Sequence, residues 1–135
     1  MIEGESSRGR PGSIDTGASA TGGFVVVICI PVSTEGVVGH SWGRAPRVAV
    51  VRIEGGQIIS MTEHDVAWDV LHDEGPEGSH HARVARFLKD EGVGVVVAGH
   101  MGGPMAHMLQ QMGIRVQLGA TGSARAAALA AASIV

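Results

Sequence analysis

Two short, uninterrupted apolar runs, Phe24–Ile30 (FVVVICI) and Val93–Ala98 (VGVVVA), constrain this chain more than any other feature. A strand with one face in water alternates apolar and polar residues, whereas a strand apolar throughout needs protein on both faces. Both runs are therefore predicted to lie side by side and parallel at the centre of a sheet. Helices on both faces would cover it, which is the α/β class. A chain of 135 residues with 44% hydrophobic content can fill one such core. With two Trp, two Phe and no Tyr, that core must be largely aliphatic.

The segments between and after these runs supply the other elements. Arg47–Ile53 and Ile58–Thr62 flank Gly55-Gly56 and read as a β-hairpin. The acidic, His-containing stretch from Glu63 to Glu77 reads as a loop. Ser79 is a possible cap for a helix starting at His80, with Val84, Phe87, Leu88 and Glu91 along one edge and Gly92 as its stop. Pro104 occupies a favoured first helical position, and Met105, Met108, Leu109 and Met112 follow at core spacing. A last strand over 114–118 and an Ala-rich helix over 124–133 complete the order. Residues 24–135 are thus expected to form one domain. Residues 1–23, rich in Gly and Ser and nearly without apolar side chains, are expected to be a flexible tail. They lack the apolar stretch of a secretory signal.

Charge and composition exclude several partners. A formal net charge of −3, with ten Lys and Arg spread along the chain, offers no basic face for nucleic acid. No apolar run approaches the roughly 20 residues needed to cross a bilayer. The single cysteine, Cys29, cannot form an internal disulfide and suits a reducing, cytoplasmic setting. Its place in an apolar run marks it as a buried hydrophobe rather than a reactive thiol.

In an open α/β sheet, ligands bind beyond the carboxyl ends of the parallel strands. Loops 31–46, 99–103 and 119–123 should converge there, and the last two lead into helix N-termini, which favour anions. The loops carry His40, Ser41, Gly43, His100, Met101, Gly102, Gly103, Thr121 and Gly122, the predicted ligand-binding residues. Imidazole is a versatile metal ligand, so His40 and His100 are the candidate metal-binding pair. His80 and His81, at a helix start, read as structural or solvated, because cations there would oppose the helix dipole. Met105, Met108 and Met112 read as core, whereas Met101 lies in the loop. His107 lies off the stripe. His64, Asp65, Asp69, His72, Asp73 and Glu74 have metal-ligand chemistry but read as a solvated acidic loop.

Three stretches carry a family resemblance. Val38-Gly-His-Ser-Trp-Gly-Arg-Ala-Pro46 resembles the His-Phe-Gly-Arg-Ala-Pro loop of the dinitrogenase iron–molybdenum cofactor biosynthesis family, the NifX-like accessory domains. Gly92–Pro104 (GVGVVVAGHMGGP) resembles its Gly-Val-x-x-Val-Ile-Ala-Gly-x-x-Gly-Pro stretch. Gly113-Ile-Arg-Val116 with Gly119-Ala-Thr-Gly122 resembles its last strand and turn. The resemblance spans about residues 24–132. It implies a three-layer, ribonuclease-H-like α/β fold with a mixed five-stranded sheet. It also implies binding or carriage of iron–sulfur or iron–molybdenum cluster precursors, with cluster-assembly proteins as partners. The chain departs from the family at one position: the family histidine aligns with Ser41, and the histidine of this chain stands one place earlier, at His40.

The residues do not point to an enzyme. Neither apolar strand carries the carboxylates that two-metal phosphoryl chemistry requires. There is no Gly-x-Ser-x-Gly elbow, no Walker A lysine and no Gly-x-Gly-x-x-Gly opening a helix. Two readings follow: a non-enzymatic metallocluster carrier or accessory domain, or a module binding a small anion or single metal ion outside nitrogenase biology.

Overall fold

A computed structural model describes residues 25–134 other than Glu77. The predicted tail and Phe24 lie outside the described residues. The elements run β1 (Val25–Pro31), β2 (Arg47–Glu54), β3 (Gln57–Asp65), α1 (Trp68–Leu71), α2 (Ser79–Glu91), β4 (Val95–Val97), α3 (Gly103–Gln111), β5 (Arg115–Gln117) and α4 (Ala124–Ala132). One five-stranded sheet has the order β3-β2-β1-β4-β5. Its β1–β2 and β2–β3 pairs are antiparallel, and its β1–β4 and β4–β5 pairs are parallel. The two apolar runs are thus parallel neighbours, as predicted.

The doubly apolar strands have the expected cause. Cys29 of β1 is in register with Val50 of β2 and Val96 of β4, and these side chains share one face of the sheet. That face packs against Trp68, Val84, Leu88, Met105 and Leu109 from α1, α2 and α3. Ile28 aligns with Val51 and Val95 on the opposite face, which α4 covers with Ala124, Ala128 and Ala131. Alanines at this spacing put only small side chains on the buried stripe of α4. Cys29 is fully buried, and burial pushes its thiol pKa well above the ordinary value, so it behaves as a hydrophobe.

Four expectations change. The region from Glu63 onward is not all loop: β3 continues to Asp65, and α1 follows. Arg47, in register with Asp65, bonds its carboxylate at 2.9 Å and that of Glu63 at 3.3 Å, holding these acids on the strand. Ser79 is not the α2 cap. Gly78 occupies that position, and the Ser79 hydroxyl instead donates back to the carbonyls of Glu74 and Pro76. The strands β4 and β5 are shorter than the apolar runs around them, although Val93, Ala98 and Ile114 are all buried. Met112 lies at the C-cap of α3 and is exposed, so the core stripe of that helix is Met105 and Leu109, with Met108 half-buried.

Candidate functional site

The parallel strands β1, β4 and β5 end on the same edge of the sheet, and backbone hydrogen bonds stitch their following loops together. His100 N–H donates to the His40 carbonyl at 2.7 Å, and Trp42 N–H donates to the His100 carbonyl at 3.1 Å. This pair of bonds makes a parallel bridge between Ser41 and His100. Gly119 N–H donates to the Gly99 carbonyl, and Val38 N–H donates to the Gly122 carbonyl. The third loop is therefore tied to both of the others. The approach at Gly99 is close: a Cβ there would lie 3.0 Å from the His40 carbonyl oxygen and 3.2 Å from its Cα, so that backbone would have to shift to admit it.

This stitching brings His40 and His100 side by side. Their rings are nearly parallel, 11° apart in plane, with centroids separated by 5.9 Å, and both side chains are exposed. Ser41 follows His40 and is half-buried, Gly43 is half-buried but turned toward His72 and His80, and Gly102 and Gly103 are exposed at the start of α3. The first N–H groups of a helix lack intrahelical acceptors and can face a ligand. Thr121 and Gly122 lie on the exposed third loop, ahead of α4, whose Ser123 hydroxyl accepts from Ala126 N–H as the N-cap. Met101 does not join this surface. Its side chain is buried in the core with Met105 and Leu109.

The other residues with metal-ligand chemistry are dispersed. His64 and Asp65 lie on β3, whereas His72, Asp73 and Glu74 follow α1. Among the described residues, no three His, Cys, Asp or Glu side chains come together to hold a metal ion. His72 Nδ1 lies 3.0 Å from Asp73 Oδ1, and this hydrogen bond holds the Asp73 carboxyl below the usual range. His81 faces a separate cavity of about 490 Å³, lined with His72, Asp73 and Glu74, rather than the His40–His100 surface.

One residue that anchors the site is not evident from the sequence reading. His80, 7% exposed, places Nε2 2.8 Å from the Gly43 carbonyl and Nδ1 3.1 Å from the Arg83 guanidinium. A carbonyl only accepts and a guanidinium only donates, so the imidazole is neutral, with its proton on Nε2. Burial is the main cause that lowers the His80 pKa; the hydrogen bond to Gly43 works against it, and His72 and Arg83 act with burial. A neutral ring also removes the conflict with the helix dipole. The spacing of His80, Val84 and Leu88, every fourth residue along the buried stripe of α2, carried the available signal. Trp42 next to Gly43 is fully buried edge-on against Trp68, with centroids 5.1 Å apart, and so pins the same loop to the core.

A family model described as dinitrogenase iron–molybdenum cofactor matches residues 25–133. The chain belongs to this family. Its fold is similar to that of the PH0822 protein, at 23% identity and a TM-score of 0.60 over 73% of this chain and 83% of that one. It is similar as well to the apo form of the orange protein from Desulfovibrio gigas, at 20% identity and a TM-score of 0.60 over 82% and 90% of the two chains. A Thermotoga protein named as a candidate NifB protein matches at 22% identity and a TM-score of 0.57 over 80% and 88%. No curated protein matches the sequence. Among the described residues of this family member, no helix is long and apolar enough to cross a membrane.

Proposed function

We propose that this chain is a non-enzymatic carrier or accessory domain whose cargo is an iron–sulfur or iron–molybdenum type cluster. The observation that carries this reading is the parallel His40–His100 pair, held over the carboxyl ends of β1 and β4 by reciprocal backbone bonds. Family membership supplies the class of cargo.

The donor set defines what kind of holder this would be. Cluster irons are commonly bound by thiolates, and Cys29 is buried inside the sheet. Ligation would therefore come from imidazole, with His40 standing one place before the position of the family histidine and Ser41 beside it. The first turn of α3 adds backbone N–H groups and a positive dipole end toward an anionic cargo. Two exposed ligands on loops suit reversible transfer to an assembly partner better than permanent retention. The same surface would hold a small anion or single metal ion by the same groups, so the cargo must be tested directly.

Anaerobic incubation of the protein with ferrous iron, sulfide and a reductant, followed by gel filtration and metal analysis, tests the reading. The wild-type chain is expected to retain iron and sulfide together, and the His40→Ala/His100→Ala double variant is expected to retain neither. Equal retention by the double variant would remove these ligands. Stabilisation by Zn²⁺ or phosphate without any retained iron and sulfide would replace the cluster by a simpler ligand.

A further inference from the structure

The loop that carries His40 and Ser41 is held at its far end by a side chain from another layer of the protein. His80 of α2 reaches 37 positions back along the chain to the Gly43 carbonyl. Its second ring nitrogen accepts from Arg83, whose Nη1 also donates to the Leu71 carbonyl at the end of α1. One imidazole therefore links the loop, α1 and α2. Trp68 packs edge-on against the ring at a centroid distance of 6.3 Å, and His72 lies 4.8 Å away, tilted by 53°.

We propose that His80 is the positioning residue of the ligand loop, and that its neutral, Nε2-protonated form is required to keep residues 40–43 in register with His100. This assignment rests on the ligand reading of the His40–His100 surface. The register itself, however, is a property of the protein without ligand.

Burial, Arg83, His72 and His81 all favour that form, and the Gly43 carbonyl, which a charged ring would bond equally, is the one neighbour pulling the other way. A proton added at Nδ1 removes the lone pair that accepts from Arg83 and sets two cations 3.1 Å apart. His72 and His81 would add like charge, and Arg44 lies near the same cluster. Asp73 is an acidic group coupled to these cations, but its carboxylate already bonds His72. Protonation would thus expel either the ring or the Arg83 guanidinium. Expulsion of the ring frees the Gly43 carbonyl and loosens the turn closed by Ala45 N–H on the Trp42 carbonyl, whereas expulsion of the guanidinium frees the Leu71 carbonyl and leaves the ring without its second anchor. The loop then loses its fixed approach to His100.

Amide hydrogen exchange on the ligand-free protein, expressed as protection factors at about pH 7.5 and pH 5.5, reads this directly. The reporters are the Trp42 and His100 amides, which form the bridge between the two loops. In the wild type, their protection is expected to fall about tenfold at the lower pH, corresponding to one buried hydrogen bond. Protection of Val50 and Val96 in the central strands should stay constant. His80→Gln can donate to Gly43 and accept from Arg83 without titrating, so it should protect both reporters equally at the two pH values. His80→Phe keeps a ring but no hydrogen bonds and should lose the protection even at pH 7.5. Constant wild-type protection across the two pH values would overturn the proposal. So would full protection in the Phe variant. Acid sensitivity persisting in the Gln variant would do the same, because it would then belong to a group other than His80. If the Phe variant does not fold, the comparison of wild type with the Gln variant still decides. Loss of cluster retention with intact pH-dependent protection would instead count against the cargo alone.

Discussion

Gly99 is the tightest glycine of the candidate site, because a Cβ there would press on the His40 backbone. Gly99→Ala would set its Cβ against the backbone of His40, which cannot rotate away as a side chain could. Such overpacking costs about 1–3 kcal/mol. The expected outcome is a lower thermal midpoint together with weaker hydrogen-exchange protection at Trp42. Residue types alone identified His40 and His100 as neighbours, since both follow strands that had to be adjacent. They did not reveal the partners of His80, Trp42 or Met101. Nothing local in the sequence specifies contacts across 37 positions of chain, and a loop methionine resembles any other until the core closes over it.

At the scale of elements, apolar runs and turn residues carried most of the information. Gly55 and Gly56 both adopt positive φ, 60° and 78°, and close the β2–β3 hairpin as their pairing implied. The acidic end of β3 was hidden because its stability comes from Arg47 on the neighbouring strand, which a reading of charge along the chain does not reveal. The helices yield three tests, the first two contrasting. Leu109→Ala, fully buried on α3, should destabilise by about 2–5 kcal/mol in chemical denaturation. Met112→Ala, exposed at the end of the same helix, should change stability by no more than about 0.5 kcal/mol. Ser123→Ala removes the α4 cap bond to Ala126 and should cost about 1 kcal/mol. Comparable losses at Met112 and Leu109 would contradict the assigned helix face.

For the whole molecule, the fold gathers His40, His100 and the glycine-rich loops at one end of the sheet, with a buried imidazole bonded to the loop of His40. The pKa of His80 in the folded protein lies below its ordinary value of about 6.5, so the unfolded chain takes up a proton first as pH falls. The stability contributed by neutral His80 is therefore complete above about pH 6.5 and fades as pH drops through that value toward the lowered one. Thermal midpoints measured across this window should decline in the wild type and decline less in His80→Gln. The central claim, however, concerns location: cargo is held where loops 31–46, 99–103 and 119–123 meet. The most direct test is an amide NMR map of the protein loaded anaerobically with a paramagnetic iron cluster. Broadening should centre on residues 39–43 and 99–103 and extend to 119–123, while Gly55, Gly56 and Gly92 at other turns stay sharp. Broadening centred on His72 and His81, or none at any loop, would contradict the account.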